Sequence, residues 1–432
     1  MRFVIAALLL MVPSHATVSF KAQVAPILLE KCVTCHGPEK SKAGFRLDSF
    51  ESLLKAGESK KAPIVAGAPG RSHLFELITT KDEDDRMPQK SDRLSDQQIA
   101  VIRDWIFEGA KFDGSARAEN LAKIVPYQPG PESPAHYPFP QPVLALAWSI
   151  DGKILASSGY HEALLWSDDG KLQRRISRLP QRIHGLAFAD SNTLAVAAGT
   201  PGKSGEVLLC RIDSTEAPRL LARLSDVTTC LAINKSRTTI AVGGADNAIH
   251  IFSLTDGNEK VVQQHADWVT SLAFSNDESK LASASRDRTA RIFDVKTGDL
   301  LETYAEHLQP LYAVAFSDDG KTVFSGGREK KIHSWQTHEA KKNGEFPALD
   351  GDVLALCVAD SNLFAAGGEK EIYVFNAGDR KQIRTLSGHT DWIYTIAWHE
   401  ESKRLASGSF NGEIRIWNVE KDVATTSFRA IP

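Results

Sequence analysis

From residue 143 to the C-terminus, short apolar runs alternate with turns rich in glycine and charge, and the alternation recurs. A small residue followed by a larger apolar one appears at Ala147-Trp148, Ala187-Phe188, Ala232-Ile233, Ala273-Phe274, Ala315-Phe316, Cys357-Val358 and Ala397-Trp398, at intervals of 40, 45, 41, 42, 42 and 40 residues. A second strand follows about twenty residues later, marked by Trp166, Cys210, Phe252, Phe293, Trp335, Phe375 and Trp417. The one long interval contains an insertion at 201–205 in the second unit. The N-terminal fifth has a different period. Residues 20–30 form a helical pattern, and Ile99, Ile102, Trp105 and Ile106 recur at helical spacing. Ser95 with Gln98 makes a capping box, Leu94 with Ile99 a hydrophobic staple, and Gly109 a C-terminal stop. Between the two regions, seven prolines from Pro126 to Pro142 predict an extended, semi-rigid spacer.

A repeat of 40–45 residues built from short alternating strands resembles the blades of a WD-repeat β-propeller, and seven copies imply seven blades. The ring closes either within the seventh repeat, which continues past Trp417 to Pro432, or through residues near 137–140.

Ahead of the repeats stands Cys32-Val33-Thr34-Cys35-His36, the C-x-x-C-H arrangement that attaches a c-type haem. Two thiols on one helical turn can form thioethers to both vinyl groups, and the adjacent histidine becomes the proximal iron ligand. A thioredoxin-like reading would need a preceding strand, whereas a helical pattern precedes Cys32. A structural zinc would need further ligands at paired spacing, and no second motif follows. For the sixth ligand, Met87 is the only methionine once Met1 and Met11 leave with the leader described below; His73 is the competitor. Pro88 biases Met87 toward extended backbone.

The run Phe20, Val24-Ala25-Pro26-Ile27-Leu28, Cys32 to Pro38, Arg46-Leu47-Asp48-Ser49, Gly67, Pro69, Ser72, Arg86-Met87-Pro88, Leu94-Ser95, Trp105-Ile106 and Gly109-Ala110 resembles the planctomycete-type cytochrome C domain over residues 18–112. That resemblance implies one covalent haem c with His36 and Met87 as its axial pair. Lys90, Ser91 and Asp92 depart from the family, in which more proline follows the methionine. The chain is therefore read as multidomain: a signal peptide at 1–16, a small all-α c-type cytochrome domain at 17–113, a proline-rich linker at 114–142, and an all-β seven-bladed WD-repeat propeller at 143–432.

Composition and charge narrow the function. Residues 17–114 hold fifteen Lys/Arg and fifteen Asp/Glu, and residues 115–432 hold 35 and 39, so neither part has the basic excess of a nucleic-acid binder. Arg2, the ten apolar residues 3–12 and Ser14-His15-Ala16 form an export signal, either cleaved or kept as an anchor. Ten apolar residues are about half a membrane span. Export to a bacterial periplasm is expected, with no stable membrane span. Cys210, Cys230 and Cys357 stand alone in apolar strands and read as small buried hydrophobes.

Within the propeller, His265, His307 and His389 each lie eight residues before the strand alanine and resemble the repeat's structural histidine. Ser407, Asn411 and Trp417 match the rest of that hydrogen-bonding network in the seventh blade. By the same resemblance, one face carries Trp268 and Trp392, with Tyr160, Ala245, Arg286, Arg328, Glu369 and Phe410 before successive turns. Exposed aromatics and arginines are the residue types of interface hot spots, which makes this face the expected partner-binding surface. The expected function is electron transfer to a redox partner protein, not catalysis. Two alternatives are a propeller-type haem oxidoreductase similar to a nitrite reductase, and a haem-based sensor or scaffold.

Overall fold

A computed structural model describes residues 17–37, 40–89, 92–421 and 423–432. The export signal and the departure at Lys90 and Ser91 lie outside the described residues. The chain divides into two compact units, one ending at Pro126 and the other running from Tyr127 to Pro432.

The first unit is helical. A π-helical turn at Phe20–Val24 leads into α1 (Ala25–Lys31), with proline in its first turn, where no backbone N–H is needed. It is followed by α2 (Val33–His36), α3 (Phe50–Leu53), α4 (His73–Thr79), α5 (Asp96–Phe107) and α6 (Leu121–Ile124). The predicted capping box on α5 is formed in full: Ser95 accepts from the Gln98 N–H, and the Gln98 side chain accepts from the Ser95 N–H. Gly109 ends that segment with φ +99°, a conformation that glycine adopts without a Cβ penalty. The core is aromatic. Phe20 meets Phe50 edge-on at 4.9 Å and Trp105 at 5.3 Å, while the Trp105 indole donates to the Lys111 carbonyl at 2.9 Å.

The stretch 114–142 differs from a free spacer. Asn120 caps α6, and Leu121, Ile124 and Val125 are buried in the helical core, with the Leu121 N–H bonded to the Asp48 carbonyl at 2.7 Å. From Tyr127 onward the chain is held by the propeller unit: the Tyr127 hydroxyl donates to Arg178 O at 2.7 Å, and the Tyr137 hydroxyl to Glu162 at 2.6 Å. Proline stiffens this stretch, but the apolar and phenolic side chains between the prolines give it places to attach.

The second unit is a seven-bladed propeller, every blade a four-stranded antiparallel meander. The blades span 146–176, 182–224, 228–262, 269–304, 311–345, 353–387 and 393–429. The outer strand of the last blade, Val423–Arg429, pairs with Glu413–Asn418, so the seventh repeat completes its own sheet. Side chains, packing and a bond from the Val143 N–H to Ser409 O at 3.1 Å join it to the first blade and the chain entering it. The Trp148 indole donates to Ala397 O at 3.2 Å, and Arg404 lies 4.8 Å over the Trp148 ring while donating to Gly152 O at 2.6 Å. Trp166 and Phe428 meet at 4.9 Å in a core shared by both blades. Among the described residues, no helix is long and apolar enough to cross a membrane.

Candidate functional site

The C-x-x-C-H segment forms one short helical turn. The N–H of Cys32 closes α1 on Leu28 O at 3.0 Å, and the N–H groups of Cys35 and His36 both return to Cys32 O, at 3.1 and 3.0 Å. Both thiols and the imidazole therefore come from a single turn. The imidazole Nδ1 of His36 lies 3.2 Å from the Phe45 carbonyl oxygen. A carbonyl can only accept, so Nδ1 carries the proton of the neutral ring and Nε2 keeps its lone pair. The His36 carbonyl in turn accepts from the Leu47 N–H at 2.9 Å.

Met87 follows α4, its N–H bonded to Leu77 O at 3.0 Å. Cys32, Val33, Phe45, Ile64, Phe75 and Met87 border the helical core while staying partly exposed. This incompletely covered apolar rim beside two thiols and an oriented imidazole suits a flat apolar macrocycle, so the residues fit a haem. Crowding around Cys32 pushes its thiol up to about 12, burial being the main cause and Cys35 the second. His73, the competing ligand, has its Nδ1 2.8 Å from Glu76 Oε2 on the first turn of α4. Asp82, Glu83, Asp84 and Asp85 are all exposed just before Met87, with Arg86 3.5 Å from Glu83.

Residues 32–91 match the Planctomycete cytochrome C family. Segments 258–294, 298–336 and 380–418 match the WD domain, G-beta repeat family. A planctomycete-type cytochrome C domain precedes a WD-repeat propeller in this chain. Similar proteins include the Denticleless protein homolog of Danio rerio, 27% identical over 197 residues, which cover 45% of this chain and 29% of the relative. The F-box-like/WD repeat-containing protein TBL1X of Mus musculus is 27% identical over 203 residues, 43% of this chain and 38% of that protein. The WD repeat-containing protein 91 homolog of Dictyostelium discoideum is 24% identical over 195 residues, 43% and 26% respectively. The chain thus spans about a quarter to two-fifths of the length of these relatives.

In the WD-repeat propeller the regular histidines sit in buried networks. His265 bridges Asp287 at 2.8 Å and Ser283 at 2.7 Å. His389 reaches Ser407 at 2.6 Å, and the Trp417 indole donates to the same hydroxyl at 2.8 Å. Asn411 is not the partner of His389. It bonds Thr390 and Ser409, and Glu413, two residues on, supplies the carboxylate at 3.1 Å. A neutral amide occupies the repeat's acidic position in this blade, and the nearest ionised group takes over its role. His307 bridges Glu329 and Ser325.

On the face expected to bind a partner, Trp268 is 39% exposed and Trp392 52%. The Arg286 guanidinium lies 4.6 Å over the Trp268 ring. The N–H groups of Ala245, Arg286, Arg328 and Phe410 each bond the chain entering their blade, at Val227, Trp268, Pro310 and Trp392. In the sixth blade that place belongs to Gly368, bonded to Asp352 O at 2.9 Å, so Glu369 stands one residue further along. The preceding turn, between the first two strands, is two residues shorter than in the fifth blade: Cys357 pairs with Phe364, whereas Ala315 pairs with Phe324. Tyr160 is held differently, its N–H bonded to the Tyr137 hydroxyl at 3.0 Å. Leu308, 75% exposed beside the fifth blade's histidine, was not singled out by sequence; only its position after the repeat histidine signals it. Cys210 and Cys230 are buried, and burial pushes both thiols up to about 12.

Proposed function

We propose that this protein is an exported, monohaem c-type cytochrome that passes electrons to or from a partner protein docked on its WD-repeat propeller. The observation that carries this reading is the turn Cys32 to His36, with both cysteines on it and the Nε2 of His36 left as a lone-pair donor by the Phe45 carbonyl. Cys32 and Cys35 would hold the haem covalently, and His36 and Met87 would ligate its iron. The bound haem supplies one-electron redox chemistry. With both axial positions filled by the chain's own residues, no position is left for a substrate, which favours electron transfer over catalysis. Maturation of haem c outside the cytoplasm accords with the signal at residues 1–16 and with a periplasmic location. The propeller's part is docking, supported by exposed Trp268, Arg286, Arg328, Trp392 and Phe410.

The test is retention of haem. Protein produced with export and haem-maturation machinery should keep its haem through denaturation and acid-acetone extraction. Haem that washes out of the wild type would overturn the proposal. Replacing either Cys32 or Cys35 alone should leave one thioether and a red-shifted reduced spectrum.

A further inference from the structure

The fifth blade departs from its neighbours at one position. In blades four and seven, the carboxylate beside the repeat histidine meets an arginine of the third strand: Arg291 lies 4.0 Å from Asp287, and Arg415 2.7 Å from Glu413. The residue in the same register of blade five is His333, on the strand Ile332–Gln336. Its Nε2 stands 3.6 Å from Glu329 and 3.7 Å from Glu345. Among the described residues, Glu329 has no lysine or arginine at ion-pair distance. Blade five therefore presents a largely buried carboxylate and a second imidazole where its neighbours present a carboxylate and a guanidinium.

We propose that His307 Nδ1, His333 Nε2 and a Glu329 oxygen bind a divalent transition-metal ion, with zinc as the best match. The donor atoms of these three residues lie within 4.8 Å of one another. The two imidazoles stack at 4.0 Å, 15° from parallel. Two nitrogens and one carboxylate oxygen form a zinc-type ligand set, with the fourth place left to water or Glu345.

Each imidazole is also oriented from behind, as metal-ligating histidines usually are. His307 Nε2 lies 2.8 Å from the Ser325 hydroxyl. His333 Nδ1 lies 2.8 Å from the Tyr304 hydroxyl, which itself donates to Glu306 at 3.4 Å. With that hydroxyl's proton directed to Glu306, His333 Nδ1 is the donor and Nε2 keeps its lone pair. Ligation requires neutral imidazoles. Burial pushes His307 down to about 3 and His333 to about 4, with the neighbouring Lys342 adding to both shifts and His307 to that of His333. Blade three gives a contrast. His250 there lacks a second histidine, sits between Asp246 and Glu259, and is raised to about 9 because its bonds to the two carboxylates outweigh burial; it serves as the cation itself. In blade five the metal ion would take that place. Its binding would leave His307 neutral, with the ring's single proton on Nε2 facing the Ser325 hydroxyl.

The experiment titrates full-length, chelator-treated protein with Zn²⁺ by calorimetry and with Co²⁺ by absorption. One Zn²⁺ per chain is expected. Bound Co²⁺ should show the visible bands of a tetrahedral nitrogen–oxygen site without a thiolate charge-transfer band. His333→Arg, which installs the residue of blades four and seven, should weaken Zn²⁺ binding by more than the roughly 10–100-fold that loss of an outer-shell partner costs, and Tyr304→Phe should fall within that range. Circular dichroism of both variants should match the wild type. No stoichiometric uptake, uptake unchanged by His333→Arg, or a thiolate band placing the ion at Cys32 and Cys35 would each overturn the proposal.

Discussion

His36 gives its Nδ1 proton to the carbonyl oxygen of Phe45, nine residues further along the chain and 3.2 Å away. The bond fixes both the tautomer and the plane of the ring, and leaves one nitrogen for an iron ligand. Met87 is tied by its backbone to Leu77 at 3.0 Å. If both residues ligate haem iron, the oxidised protein should show the weak long-wavelength sulfur-to-iron band. Met87→Ala should abolish that band and lower the potential, within the roughly 0.8 V span that axial ligands control. A wild type that lacks the band and binds carbon monoxide readily would show an open axial position.

The four acids from Asp82 to Asp85 are exposed beside Met87. A basic redox partner would be steered toward them, and salt should slow the encounter, because the Debye length is about 8 Å at physiological ionic strength. Neutralising the four residues should flatten that salt dependence in stopped-flow reduction. Trp268→Ala or Trp392→Ala should instead speed dissociation and leave salt sensitivity unchanged. Rates indifferent to salt and to the acids would place docking elsewhere.

Glu162 is fully buried. Arg175 reaches it at 2.6 and 2.8 Å and the Tyr137 hydroxyl at 2.6 Å. Arg175→Ala strands a buried carboxylate and should cost about 3–5 kcal/mol in urea unfolding of the propeller. Tyr137→Phe removes one hydrogen bond and should cost about 1 kcal/mol. Equal losses would mean that the charge pairing does not set the energy.

Acid should weaken the propeller through its buried histidines. Burial pushes His389 down to about 4 from an ordinary 6.5. Between those values the unfolded chain binds a proton that the folded chain does not, so stability is full above pH 6.5 and falls as the pH drops toward 4. The thermal midpoint of the wild type should therefore drop across that window. His389→Gln should start lower at neutral pH and fall less steeply, and an unchanged slope would clear His389 of the effect.

The blade count was legible because a buried strand alternates with period two and each blade repeats the same packing problem. The capping box on α5 was legible because it is local: Ser95 and Gln98 satisfy each other's N–H groups within one turn. Exchanges between non-adjacent positions were harder to see. Glu413 replaces Asn411 as the partner of His389 because a buried imidazole takes whichever carboxylate the fold brings within reach, and strand register decides that. The offset of Glu369 arose from the shortened hairpin ahead of it, between the first two strands of its blade, which a period averaged over seven blades does not detect. His333 escaped notice because it lies outside the repeat's signature positions, and its meaning depends on a neighbour 26 residues earlier. The attachment of residues 120–142 was obscured by proline content, although Leu121 and Tyr137 decide where that chain rests.

Every blade, the seventh included, comes from one stretch of sequence, and among the described residues no strand is lent across the junction between the last and the first. The order in which the blades are encoded is therefore independent of the ring they build. A gene restarted at the loop between Tyr304 and Leu311, with residue 432 joined by a flexible linker to residue 127, should specify the same propeller. What such a permutant must retain is the joint of Trp148, Arg404 and Phe428, together with the bond from the Val143 N–H to Ser409 O at 3.1 Å, since these keep the circle shut.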